Sequence, residues 1–312
     1  MKLIELFAGI GTQAYAFQQY IDTTVLGISE IDNRPLKAYE AIFKKLPYNF
    51  GDISKIKSLP QADVWTYSFP CTDLSIAGKK EGLQGKHSGL LYEVQRLLEN
   101  SPLPKILIME NVANLVSVKF LPDFEKWIDF LSSLGYTTTW EKIQANHYGG
   151  GTIRKRVFAV SILNTHDSFV FPKKTGTNKV ILDYLEDPIE EYCVDNSLFL
   201  YQEIERNYQT SIKLQDYGRG GQGNRIYSVY GQGVTLTANG GGKAGSSGGL
   251  YARPQGIYKL TPREMMLVNG WQDPEIASVE KVLSPREIGF VMGNSIDLTV
   301  MKKIAHKIIN YL

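Results

Sequence analysis

The first 165 residues predict a doubly wound α/β sheet, mostly parallel, and three observations carry that prediction. Short apolar runs of strand length alternate with stretches of helical spacing. A glycine turn follows the first run directly. Polar or reactive residues stand at the ends of successive runs: Glu30, Asp52, Cys71 and Glu110. Alternating strands and helices favour a parallel sheet covered on both faces, and ligands of such sheets sit beyond the carboxyl ends of the strands.

The elements follow in order. Residues 3–7 form the first strand, Gly9-Ile10-Gly11 the turn, and 12–20 a helix. Residues 24–28 read as a second strand and 32–46 as a helix; a third strand is expected to end at Asp52. Runs at 62–69 and 105–109 are strands, with a helix at 89–99 between them. A helix at 123–134 precedes strands at 137–145 and 157–162. After about residue 165 the texture changes. Between Arg206 and Arg263 there are eight basic residues and one acid, Asp216, a local charge of +7 in a chain whose net charge is +2. Thirteen of the 29 glycines lie between Gly218 and Gly256. This segregation predicts a smaller, loop-rich domain with a basic surface, residues 179–284, set against a catalytic domain of 1–178 plus 285–312. Thr261-Pro-Arg-Glu and Ser284-Pro-Arg-Glu each open a helix with a hydroxyl N-cap and a following proline. Residues 297–312 carry Leu298, Met301, Ile304, Ile308 and Leu312 at helical spacing.

Composition excludes several classes. A net charge of +2 is too small for a protein that coats DNA without selectivity, though a local basic surface suffices for a site-specific one. The two cysteines, Cys71 and Cys193, and four histidines lie far apart, which excludes a disulfide scaffold and a structural zinc site. There is no run of 18 apolar residues, and MKLIELFAGIG lacks the pattern of a leader peptide, so a cytoplasmic location is expected.

Chemistry concentrates at the strand ends. The glycine turn with Glu30 suits an adenosine cofactor: glycine lets a backbone approach closely, and the acid can accept ribose hydroxyls. Nicotinamide dinucleotide and S-adenosylmethionine both remain open on this signal. Asp52 is placed to meet an adenine amino group or to cap the next helix. Cys71 is placed as a nucleophile, and Glu110, in a desolvated site beside it, as an acid. Arg154 and Arg156 are read as pointing to opposite faces of their strand, one towards the site and the other holding structure or phosphate.

Taken together these residues resemble the DNA cytosine-5 methyltransferases, in particular the short bacterial and phage enzymes of restriction–modification systems. The matching strings run nearly end to end: Glu5-Leu-Phe-Ala-Gly-Ile-Gly11, Ser29-Glu-Ile-Asp32, Gly51-Asp-Ile53, Ser68-Phe-Pro-Cys-Thr72, Glu110-Asn-Val112, Arg154-Lys-Arg156, Arg263-Glu264 and Gly293-Asn-Ser295. Gly220-Gly-Gln-Gly-Asn-Arg-Ile-Tyr-Ser228 and Thr235-Leu-Thr-Ala238 resemble the family's target-recognition domain.

The resemblance implies a Rossmann-like fold and S-adenosylmethionine as cofactor, with no metal. Cofactor contacts are implied for Phe7, Gly9, Ile10, Gly11, Glu30, Ile31, Asp52, Ile53, Pro70, Leu91, Asn294 and Ser295. Cys71 would add to carbon 6 of a flipped cytosine, Glu110 would donate to N3, and Arg154 would contact the carbonyl at carbon 2 and help ionise the thiol. Double-stranded DNA would be contacted by Ser75, Lys79 and Lys80 of a mobile basic loop at 75–88, and by Arg219, Gln222, Arg225, Tyr227, Thr235 and Arg253. Gln222 would fill the gap left by the base. A monomer is expected, with a cognate restriction endonuclease acting separately. Three positions depart from the family's pattern: Thr12, Thr72 and Thr152, the last standing where a glutamine is usual. An RNA cytosine-5 methyltransferase and a catalytically silent DNA-binding protein are the alternatives. The basic, glycine-rich segment argues against the first, and the intact reacting residues argue against the second.

Overall fold

Leu3, Ile4 and Leu6 of β1 (Lys2–Leu6) are all fully buried. Burial on both faces, without alternation, is what a central strand of a helix-covered parallel sheet requires. The computed structural model describes residues 1–70, 88–197 and 199–312. In it, β1 joins β2 (Thr24–Ser29), β3 (Val64–Tyr67), β4 (Ile106–Val112), β5 (Tyr136–Gln144) and β6 (Lys155–Leu163) in the order β2-β1-β3-β4-β6-β5. The first four strands run parallel, and β6 is antiparallel to both β4 and β5. The sheet is therefore mostly parallel. The reversal of β6 matters for the site, because it sets the start of β6 beside the end of β4, with Arg156 opposite Val112 and Phe158 opposite Glu110.

Both faces are covered. α1 (Thr12–Gln18) and α8 (Leu298–Ile308) pack Phe17, Met301 and Ile304 into one core with Leu3, Ile108 and Val160. α3 (Leu91–Asn100) and α4 (Leu121–Ser133) pack Val94, Leu97, Phe124 and Trp127 into the other with Ile4, Leu107 and Met109. α2 (Asn33–Phe43) starts where Asp32 accepts the Arg34 N–H at 2.9 Å, a side-chain N-cap.

The third strand expected to end at Asp52 is reduced to one bridge between Ile28 and Asn49. The Asn49 side chain takes the place of a ladder: its Oδ1 accepts the Glu30 and Gly51 N–H groups and its Nδ2 donates to the Glu30 carbonyl. Asp52 then caps a short 3-10 turn by accepting the Ser54 N–H at 3.0 Å.

A second sheet comes from later residues: β7 (Cys193–Asp195), β8 (Lys213–Asp216), β9 (Arg225–Ser228), β10 (Leu250–Arg253) and β11 (Gly256–Tyr258), in the order β7-β11-β10-β9-β8. Its strands have only three or four residues, and Ile226, Leu250, Ala252 and Ile257 form a small core of their own. α5 (Pro262–Val268) and α7 (Pro285–Asn294) both begin with a capping box, Thr261 with Glu264 and Ser284 with Glu287. α5 packs against α7, and α6 (Glu275–Glu280) packs against α2. Among the described residues, no helix is long and apolar enough to cross a membrane.

Arg253 does not lie on a DNA-facing surface. It is 4% exposed, and its Nη2 donates to both carboxylate oxygens of the fully buried Glu264 at 2.9 Å. Glu264 also accepts the Thr261 and Glu186 N–H groups. The pair ties β10 to the start of α5. Tyr227 is also buried, its ring 6.3 Å from that of Tyr251 across paired strands.

Candidate active site

The turn after β1 is built from left-handed backbone. Phe7, Gly9 and Gly11 have φ of 58°, 58° and 80°. Glycine adopts this freely, whereas Phe7 pays about 1–2 kcal/mol for it. Gly11 has a second constraint: a Cβ there would lie 2.5 Å from the Tyr39 ring. Gly11 therefore shapes the turn from behind, while Phe7, Gly9 and Ile10 line a cavity of about 440 Å³ beyond the strand ends. That volume is in the range of small-molecule and cofactor sites.

Glu30 faces this cavity from the end of β2. Its carboxylate is fixed by three backbone N–H groups: Gly9 at 3.0 Å, Ile31 at 2.8 Å and Asp32 at 2.9 Å. Burial raises its pKa and those three donors restrain the rise. An ionised carboxylate has about four acceptor sites, so capacity is left for a hydroxyl of a ligand. Ile31, Asp52, Ile53 and Pro70 line the same cavity. Ser295 and Asn294, from the end of α7, close it opposite the turn, and the Ser295 hydroxyl lies 3.1 Å from that of Thr12. The departure at Thr12 thus supplies a tie that glycine could not make. The cradle fits an adenosine-bearing methyl donor: an oriented carboxylate, a backbone that approaches without side chains, and apolar walls from Phe7, Ile53 and Phe290.

The second half of the cavity holds Glu110 and Arg156. Arg156 Nε lies 3.1 Å from Glu110 Oε1, with the two side chains 17% and 9% exposed. Burial raises the Glu110 pKa more than the charges of Arg156 and Arg154 lower it. Asn111 holds the neighbouring loop, its Nδ2 donating to the Phe69 carbonyl at 3.0 Å. That loop leads to Pro70 and then Cys71. Cys71, Thr72, Ser75, Lys79 and Lys80 lie outside the described residues.

One reading of the arginines needs correction. Residues two apart on an extended backbone share a face, and Arg154 and Arg156 both line the cavity. Arg156 meets Glu110, and Arg154 donates to main-chain carbonyls, from Nη2 to Ser295 at 2.6 Å and to Gly293 at 3.3 Å, while its charge also lowers the Glu110 pKa. Leu91 is also displaced from its expected place. It is buried in the α3 core, and its neighbour Leu90 lines the cavity. Of the proposed DNA contacts, Arg219, Gln222 and Arg225 are exposed and Thr235 is half-buried. Thr152 is buried in a bridge to Gly233, and its hydroxyl has no hydrogen-bond partner among the described residues.

Sequence reasoning missed Asn111, Asn49, Phe290 and Asn239. Asn239 is exposed in the glycine-rich segment yet lines the cavity. Its place beside the Thr235-Leu-Thr-Ala238 string was the available signal.

Glu5 lies directly behind the turn, fully buried. It accepts the Ala14 N–H at 3.0 Å and the Tyr39 hydroxyl at 2.7 Å. Burial pushes its pKa up to about 7 from 4.5. The folded protein therefore holds this proton more tightly than the unfolded chain. The resulting stabilisation is complete below about pH 4.5 and is lost as the pH rises to about 7. Glu5→Gln, which can keep both hydrogen bonds, is expected to be more stable than the parent above pH 7 by up to about 3 kcal/mol. Urea unfolding at pH 5 and pH 8.5 checks this. A difference that does not grow with pH would show that Glu5 stays ionised in the fold.

The sheet, the turn with its carboxylate and the cavity beyond the strand ends are consistent with the class of S-adenosylmethionine-dependent methyltransferases. Within that class, the profile of the C-5 cytosine-specific DNA methylases matches residues 1–310. The chain belongs to this family, and is an enzyme of it. It is 31% identical to the type II methyltransferase M2.ScrFI of Lactococcus lactis subsp. cremoris, over 97% of this chain and 98% of that one. It is 30% identical to the type II methyltransferase M.HhaI of Haemophilus parahaemolyticus, over 99% and 94%. Two solved structures share the fold across 99% of this chain. They are the Dnmt2 methyltransferase of S. pombe (TM-score 0.74, 19% identity, 99% of that chain) and the Entamoeba histolytica methyltransferase EhMeth (0.77, 16%, 98%).

Proposed function

We propose that this enzyme methylates carbon 5 of a cytosine swung out of a DNA duplex, through a transient bond from the Cys71 sulfur to carbon 6. The observation that carries the reading is the buried Glu110–Arg156 pair beside Asn111, which holds the loop leading to Cys71. Carbon 5 of cytosine is a poor nucleophile until a group adds at carbon 6. Thiolate addition there pushes electrons onto the ring. Glu110, kept protonated to higher pH by burial, donates to N3, and Arg156 stands beside it to meet the carbonyl at carbon 2. S-adenosylmethionine, when bound, supplies an electrophilic methyl group. Once carbon 5 is methylated, its proton passes to water, the Cys71 sulfur leaves as thiolate and N3 gives its proton back to the Glu110 carboxylate, restoring the ring and the enzyme.

Gly9, Glu30, Asn294 and Ser295 hold the donor in this reading. A base cannot react while stacked, so it must be flipped. Residues 179–284 would serve as the recognition domain, facing a catalytic domain of 1–178 plus 285–312. Arg219 and Arg225 would meet the duplex and Gln222 would fill the vacated stack, with Ser75, Lys79 and Lys80 on the other side. The enzyme would act as a cytoplasmic monomer, and any cognate endonuclease would act separately on the same DNA word.

Transfer of tritiated methyl groups to unmethylated duplex DNA tests the proposal. Cys71→Ala is expected to abolish incorporation, and a variant that labels DNA at the parent rate would overturn the mechanism.

A further inference from the structure

One seam joins the second sheet's loops to the cavity. Two glycines of α7 open it. A Cβ on Gly293 would lie 2.0 Å from the Ala238 nitrogen, and one on Gly289 would lie 2.8 Å from the Ser246 Cβ. The loop backbone therefore rests directly on the helix at Gly293, and the Ser246 side chain seats against it at Gly289. Arg154, 4% exposed, crosses the same seam. Its Nη1 reaches the carbonyls of Leu236 (3.5 Å) and Gly293 (3.3 Å), and its Nη2 those of Gly293 (3.3 Å) and Ser295 (2.6 Å). The carbonyls of a last helical turn lack intrahelical partners and favour a nearby cation.

The contacts continue on both sides. Towards the cavity, Ser295 meets Thr12 in the glycine turn. Towards the loops, Leu236 leads to Asn239 at the cavity wall and then to Lys243 and Ala244. Their N–H groups donate to Asn224 Oδ1 (2.9 Å) and the Gly223 carbonyl (2.8 Å), in the turn that carries Gln222. An unbroken path thus runs from the exposed Gln222 turn through Arg154 to the donor turn.

We propose that Arg154 is a positioning residue that couples the DNA-reading loops to the methyl-donor pocket. The inference rests on the function proposed above. DNA that orders the Gln222 and Asn239 loops fixes Leu236, and through the guanidinium fixes the end of α7 against Thr12. Coupling between binding sites is reciprocal, so DNA must tighten donor binding by the factor by which the donor tightens DNA binding.

The test measures the dissociation constant of S-adenosylhomocysteine for the full chain, alone and with a pool of unmethylated λ DNA fragments. The readout is the ratio of the two constants, which a general loss of stability does not move. The parent is expected to show a ratio of about 5 or more. In Arg154→Lys a compact ammonium replaces the planar fork and cannot span three carbonyls, so the ratio is expected to fall towards 1. Thr12→Val removes the last link; Thr12 also lines the cavity, but a direct effect on donor binding enters both constants and leaves their ratio, so the same fall is expected, and it decides the matter if Arg154→Lys does not fold. A parent ratio near 1, or a parent-like ratio in the folded variants, overturns the coupling. Methyl incorporation by the parent into the same DNA tests the underlying reading separately.

Discussion

Glu110→Gln is expected to lower the methyl-transfer rate by about 10²- to 10⁴-fold, the usual contribution of a positioned acid or base. Glutamine keeps the shape and can still donate a hydrogen bond. It cannot give a proton to the ring as the Cys71 sulfur adds, and it presents no charge to Arg156 at 3.1 Å. Removing the carboxyl also takes the counter-charge from Arg156, which is 17% exposed and keeps the Lys155 carbonyl as an acceptor, so a moderate loss of stability is expected beside the rate effect. Single-turnover transfer at saturating DNA, together with thermal unfolding, separates the two effects. A folded variant that transfers methyl within about threefold of the parent would remove Glu110 from the mechanism.

The second large effect concerns stability. Arg253→Met leaves Glu264 fully buried without its cation. Removing one partner of a buried pair costs about 3–5 kcal/mol, because the remaining charge is neither solvated nor compensated. The double variant Arg253→Met with Glu264→Gln is expected to recover much of this, since no buried charge is then left alone. Urea unfolding of the three proteins gives the comparison. A single variant that loses less than about 1 kcal/mol would mean that water or another group already serves Glu264.

These two residues also show what could be read without coordinates. Glu110 was placed from its string and its strand end, because apolar runs mark strands and α/β sites gather at strand ends. Arg253 reads as a DNA contact in the sequence because a basic residue in a basic segment has the composition of a surface. Its partner lies 11 residues away, across a turn and into α5, and composition carries no trace of that distance. Strand direction was likewise illegible. An apolar run is the same in either sense, so nothing announced that β6 runs backwards. Yet that reversal is what brings the arginines at the start of β6 beside Glu110 near the end of β4. At Asp52 the failure was local: the Asn49 side chain supplies the bonds that a neighbouring strand would make, and an asparagine in a loop looks the same whether or not it does so.

The tie between Thr12 and Ser295 spans 283 positions of the chain. Synthesis proceeds from the amino end at about 5–20 residues per second, and domains fold as units while it does. The glycine turn and the strands of the first sheet therefore leave the ribosome many seconds before α7, Ser295 and the α8 residues that complete their core. Until then the donor pocket lacks one wall. A ribosome stalled before α7 should hold a nascent chain that does not retain S-adenosylhomocysteine.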